Sequence, residues 1–148
     1  MQWHWEHFSA LDAGTAYRIL AARAAVFVVE QHCAYLDPDG LDGDAWHLWA
    51  SAPDGAIAAC LRVLLPGARY AEHSLGRVLT TAPWRGTGLG RELVARGIEA
   101  VAGDWGAVPI RIAAQAHLEA FYGGFGFVAC GQPFDEDGIA HLEMLRAP

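Results

Sequence analysis

Trp3, Trp5 and His7 alternate with His4 and Glu6, which predicts a strand at the start of the chain. SALD at 9–12 has capping-box spacing. Leu11, Ala16, Ile19, Leu20, Ala24 and Phe27 then recur near helical period, so a first helix is expected, ending in VVEQ at Glu30. Two acidic turns follow, DPDG at 37–40 and LDGD at 41–44. WHLWA (46–50) and AIAACLRVLL (56–65) read as strands joined by the turn APDG. SLGRVLTT (74–81) is the next strand, ended by Pro83, which has no N–H to give a ladder.

The pattern changes after a glycine run. Leu89, Leu93, Val94, Gly97, Ile98 and Val101 form a helical stripe. PIRIAA (109–114) is a strand, and HLEAFYGGFGF (117–127) begins as a helix broken by Gly123 and Gly124. FVACG (127–131) and IAHLEML (139–145) are closing strands separated by the turn DEDG at 135–138. The order β-α-β-β-β-α-β-α-β-β predicts a mixed α/β (α+β) fold, a mixed sheet with helices on its faces. One domain spanning 1–148 is expected.

Composition narrows the function classes. A 148-residue chain buries about 70% of its unfolded surface, enough to fold without metal or disulfide. Hydrophobic residues are 53% and charged ones 18%, which opposes disorder. No apolar run nears the roughly 20 residues of a membrane span, and MQWHWEHF lacks the basic and apolar regions of a signal peptide. Cys33, Cys60 and Cys130 lie far apart and cannot all pair, so a reduced, cytoplasmic protein is expected. The net charge of -7 opposes nucleic-acid binding but leaves room for a small polyanion held by clustered arginines. It suits a cationic substrate, or simply solubility.

The segment WRGTGLGRE (84–92) carries the candidate chemistry. A helix N-terminus offers unpaired N–H groups and partial positive charge, and glycine lets a phosphate approach. The Walker pattern fails because no Lys-Ser or Lys-Thr follows, and the dinucleotide pattern fails because position 91 is Arg91. What fits is R-x-x-G-x-G, as Arg85, Gly88 and Gly90. This resembles the pyrophosphate motif of the GNAT superfamily, the acetyl-CoA-dependent N-acyltransferases, and it follows the fourth predicted strand as in that superfamily. AQAHLEAFYGGFGF (114–127) resembles the segment after the superfamily's fifth strand, with Gln115 where Asn is usual and Phe121, Tyr122, Gly126 and Phe127 matching. RAAVFVVEQHCAYLDPDGLDGDAWHL (23–48) resembles the ElaA-like subfamily, so the likeness covers nearly the whole chain.

The resemblance implies a central, mostly antiparallel sheet of about six to seven strands, with the fourth and fifth splayed around coenzyme A. Acetyl-CoA is the implied co-substrate. Backbone N–H groups of Gly86, Thr87, Gly88, Leu89, Gly90 and Arg91 would hold its pyrophosphate, with charge from Arg85 and Arg91. The main chain of Val78, Leu79 and Thr80 would meet the pantetheine, near Gln115, Phe121 and Tyr122. Gly76 marks either the bulge that splays the strands or a small residue under a helix.

Acetyl transfer to an amine needs a neutral amine, a stabilised oxyanion and a proton for the departing thiolate. The family's oxyanion donor is a backbone N–H near Leu79 or Thr80. Tyr122 is the candidate acid, since phenol and thiol pKa values are close, about 10 and 8.5. Glu30, His32, His47, His117, His141 and Glu143 are available as base, with Glu30 and His117 singled out by position and Glu30 also suited to anchor an amine. The acidic turns are read as solvated, or as bordering the acceptor pocket.

No metal site is expected: Gly40 and Leu48 fall where an EF-hand needs other residues, and the histidines lack zinc spacing. The expected activity is N-acetyl transfer to a primary amine, on a small molecule or a protein, by direct attack in a ternary complex. A longer acyl donor and a non-catalytic CoA sensor are the alternatives. Membrane and nucleic-acid partners are not expected. IAHLEML is taken as an exposed edge strand that would permit a homodimer.

Overall fold

A computed structural model describes residues 1–148. β1 (Gln2–His7), β2 (Trp46–Ser51), β3 (Ile57–Leu64) and β4 (Ser74–Thr80) form an antiparallel sheet in that order. β5 (Ile110–Gln115), β8 (Ile139–Arg146) and β6 (Phe127–Ala129) form a second, with β7 (Phe134–Glu136) also paired to β8. The mixed, mostly antiparallel α/β architecture is as expected. The strand total rises to eight because residues 134–136 zip onto β8 around the tight turn at Asp137, where φ is 54°.

β8 is no edge strand. It pairs with β5 along one side and with β6 and β7 along the other. Its alternating pattern reports a strand with one buried face, and such a pattern cannot say how many neighbours the backbone has.

The sheets meet only where β4 and β5 begin. His73 bridges Ile110 in parallel, and Arg111 N–H donates to His73 O at 2.9 Å. Beyond that point the strands diverge. The cause is visible in β4, where Leu79 pairs with Cys60 but Gly76 pairs with Arg62, so β4 holds one residue more than β3. This is a β-bulge, and its extra residue, Arg77, has φ 51°. Nothing lies within 4 Å of a Cβ built on Gly76, so Gly76 belongs to the bulge and does not make room for a helix.

α1 (Ala13–Arg23) starts at Asp12, whose Oδ1 accepts Thr15 N–H at 2.7 Å. The expected Ser9 cap does not form: Ser9 sits in a 3₁₀ turn, Phe8–Ala10, held by His7. Asp is as strong a cap as Ser and stands next to the first helical residue. α1 continues as a π-helix, Ala24–Glu30, a geometry that apolar spacing does not distinguish over seven residues. α2 (Leu89–Trp105) buries Leu89, Leu93, Val94, Gly97 and Val101. α3 (Glu119–Gly123) is short and ends at the glycines the sequence marks.

Cores form on both faces of the first sheet. Leu61, Val63 and Leu75 pack under α2 with Leu93 and Val94, while Ile19, Val26, Trp49, Cys60 and Leu79 pack under α1. Adjacent Cys60 and Leu61 serve opposite cores, which is why all of β3 is buried.

The acidic turns at 37–44 are solvated only in part: Asp39 and Asp44 are exposed, but the other two acids are not. Asp37 and Asp42 are buried, and Arg23 bonds Asp37 at 2.8 Å and Asp42 at 2.7 Å. Arg62 bonds Asp39 at 2.6 Å and Asp42 at 3.0 Å. Arg77 Nε lies 2.8 Å from Asp37 Oδ1, a charge contact rather than an aligned hydrogen bond. These carboxylates are already neutralised by three arginines, so they do not draw a cation. They tie the 37–42 loop to α1, β3 and the β4 bulge.

Candidate active site

The divergence of β4 and β5 opens a cleft of about 960 Å³, walled by the π-helix on one side and by β5 and β8 on the other. Strand register sets what faces it. Thr81 N–H donates to Ala58 O at 2.9 Å, and Thr80 stands opposite Ala59. Main-chain groups alternate along an antiparallel strand, so Thr80 points its N–H and C=O away from β3, into the split. Its carbonyl there accepts Arg85 Nε at 3.0 Å. Leu79 is the reverse, with its main chain toward Cys60 and its side chain buried under α1. Of the two predicted oxyanion donors, Thr80 is the one with a free N–H. Val78 lines the cleft beside it.

At the end of the split lies the glycine run. A 3₁₀ turn, Ala82–Trp84, holds Pro83 and hands the chain to Arg85. Gly86 and Gly88 have φ of 76° and 85°, the left-handed region that a side chain resists, and Gly88 is the N-cap of α2. Gly90 lies against Thr80, where a Cβ would meet Oγ1 at 3.3 Å. No N–H from Gly86 to Arg91 donates to a main-chain acceptor, whereas Glu92 N–H reaches Gly88 O at 3.2 Å. Six successive donors thus stand without partners at a helix start, which suits a phosphate. Thr87 Oγ1 donates to Trp84 O at 2.6 Å and braces the turn. Arg91 leaves the nest sideways, its guanidinium 5.9 Å from the Phe121 ring and 5.8 Å from Phe125. It joins the nest to α3.

Tyr122 lines the cleft from α3 and is buried, with its ring edge-on to Phe121 and Phe127. Burial pushes its phenol up to about 12. Gln115, at the end of β5, donates to Gln31 Oε1 at 3.2 Å and so closes the cleft between β5 and the end of the π-helix. Glu30 faces the cleft too, but it is paired: Arg85 Nη2 lies 2.6 Å from its Oε1. His117 is exposed where α3 approaches the cleft.

Several contributors were not singled out in the sequence. Gln31 partners Gln115, and Arg77 with Asp37 holds the bulge. His141, one of the histidines available as base, lines the cleft opposite Gln115 with Nδ1 2.7 Å from Ile139 O. A carbonyl only accepts, so Nδ1 carries a proton. The signal for these lies in pairing across strands, which one sequence does not print. No cluster of His, Cys, Asp and Glu suited to a metal ion is present, and no helix is long and apolar enough to cross a membrane.

Comparison with known proteins agrees with this geometry. Residues 27–147 match the family model described as an acetyltransferase (GNAT) domain. The UPF0039 protein sll0451 of Synechocystis sp. is 43% identical, covering 100% of this chain and 97% of its own length. The crystal structure of an acyl-CoA N-acyltransferase from Pseudomonas aeruginosa superposes with a TM-score of 0.94 at 42% identity, covering 99% of both chains. That of Escherichia coli ElaA gives 0.91 at 36% identity, covering 98% of both. The chain therefore belongs to the GNAT acetyltransferases, in the ElaA-like group, a family of acyl-CoA-dependent N-acyltransferases.

Proposed function

We propose that the protein transfers an acetyl group from acetyl-CoA to a primary amine, on a small molecule or a protein, by direct attack while both are bound. The observation that carries this reading is the run of six unpaired N–H groups, Gly86–Arg91, next to the outward main chain of Thr80. The nest would take the pyrophosphate, and the split is open to an extended pantetheine arm.

Acetyl-CoA would supply the activated acyl thioester. Thr80 N–H would donate to the acyl oxygen as negative charge collects there. Tyr122 would hold a proton for the departing sulfur, and its burial keeps the phenol protonated through the neutral range. Glu30 would dock the amine's ammonium or take its proton, and His117 is a second base at the α3 side. Gln115 and Phe121 would bound the pantetheine site with Tyr122.

Titration calorimetry with acetyl-CoA tests the reading, followed by a thiol-release screen across primary amines. Binding in the micromolar range that weakens in Arg85→Ala, with thiol release for some amine, is expected. A folded protein that binds no acyl-CoA would sink it. Acetyl-CoA against hexanoyl-CoA in the same screen settles acyl length, and binding with no acceptor turned over would favour a CoA sensor.

A further inference from the structure

The Arg85–Glu30 pair spans the cleft mouth. Arg85 has one arm fixed, Nε donating to Thr80 O at 3.0 Å, and the other, Nη2, 2.6 Å from Glu30 Oε1. Glu30 closes the π-helix, and its neighbour Gln31 is tied across the cleft to Gln115 at 3.2 Å. Glu30 therefore belongs to the wall opposite the nest. Arg85 directly precedes the six unpaired N–H groups.

An anion seated on those N–H groups lies beside the same guanidinium. A pyrophosphate brings more charge than one carboxylate, and its oxygens match a guanidinium's paired donors. The Arg85 and Glu30 side chains are 46% and 38% exposed, so their pair is weakly held and gives way to a stronger partner.

We infer that Arg85 is an electrostatic latch: a bound pyrophosphate draws its guanidinium off Glu30, and Glu30 becomes a free carboxylate in the cleft only when the acyl donor is in place. Thr80 O keeps Nε as the pivot, so only the terminal nitrogens change partner. The consequence is an amine-docking carboxylate whose availability depends on the donor. The latch rests on the CoA reading above, and its test separates the two.

The probe is coenzyme A itself, titrated calorimetrically into wild type, Glu30→Gln, Arg85→Ala and the double variant. Glu30→Gln should tighten CoA about threefold by removing Arg85's competing partner. Arg85→Ala should weaken it, and in that background Glu30→Gln should have no effect. An equal gain in both backgrounds means simple repulsion between Glu30 and phosphate, and overturns the latch while the CoA reading stands. No gain in either also overturns it. If the folded wild type binds no CoA, the CoA reading fails and the latch with it. A crystal structure of the CoA complex gives a check without variants: Arg85 Nη2 beyond 4 Å from Glu30 supports the latch, and an intact pair refutes it.

Discussion

Arg23 Nη1 lies 2.7 Å from Asp42 Oδ1, and Arg62 shares that oxygen at 3.0 Å. Both arginines are almost fully buried. One carboxylate thus bridges two buried cations, each of which has a second carboxylate, Asp37 for Arg23 and Asp39 for Arg62. Removing the bridge leaves each guanidinium with one carboxylate and with buried N–H groups that have lost their acceptor. Asp42→Ala should destabilise the fold by about 1–3 kcal/mol. Urea unfolding measures it, and a loss below about 1 kcal/mol would show that water reaches the site.

The same cluster sets an acid limit. Hydrogen bonds from Arg62 hold Asp39 well below the usual carboxylate range. Burial pushes Asp42 up, but the hydrogen bond and charge of Arg23 outweigh it, so its net shift is downward. A carboxylate with a folded pKa below its unfolded value, about 3.9, contributes stability that is fully present above that value. The contribution is lost as pH falls through the folded pKa. The stability that Asp39 and Asp42 contribute should therefore hold down to about pH 5 and be lost below about 4, so the fall in melting temperature below about pH 4 should be shallower in Asp39→Asn. Equal acid slopes in the two proteins would contradict the assignment.

Tyr122 tests catalysis apart from binding. Tyr122→Phe keeps the ring that packs on Phe127 and removes only the hydroxyl. Turnover should fall about 100-fold or more while acetyl-CoA affinity stays within about twofold. Burial holds the phenol up at about 12, so no loss of Tyr122's proton should appear in the rate profile below about pH 10. Full activity in the variant would leave Tyr122 as a packing residue.

Gly88 tests the nest. Its φ of 85° is strained for any side chain, by roughly 1–2 kcal/mol. Gly88→Ala should either keep the turn under strain or move the first N–H groups of α2. CoA affinity should fall about tenfold, as a change of ~1.4 kcal/mol gives. Unchanged affinity would mean that the N–H groups at 86–91 do not hold the ligand.

Gly97 tests packing alone. A Cβ there would come within 2.9 Å of Leu61 Cδ2 and 3.3 Å of Leu75 Cδ2. Alanine favours helix by about 1 kcal/mol over glycine, but forcing a methyl into a filled interface costs about 1–3 kcal/mol. Gly97→Ala should lower stability on balance, read as a shifted urea midpoint with CoA binding unchanged.

Much of the architecture was legible because each element carries a local signature. The alternation of Trp3, Trp5 and His7 gave β1, and the apolar run at 56–65 gave β3. The stripe Leu89–Val101 gave α2, and Gly123 and Gly124 gave the stop after α3. The glycine run was legible for the same reason: a left-handed turn leading into a helix needs glycine at fixed spacing. The acidic loop misled. DPDGLDGD looks solvated when read alone, and only Arg23, Arg62 and Arg77, brought from α1, β3 and β4, make it a buried ion-pair network. β8 misled as well, because neighbours across a sheet leave no mark on the strand between them.

The sequence by itself determined the periodicities, the turn chemistry and the helix start that opens an anion nest, since these depend on residues a few positions apart. Tertiary structure decided the rest. It set the bulge at Arg77 that parts β4 from β5, the outward turn of Thr80 and the burial that raises Tyr122. It also placed Arg85 against Glu30. Each of these depends on charges, ring packing or strand register between residues distant in the chain, and such partners become neighbours only when the sheets form.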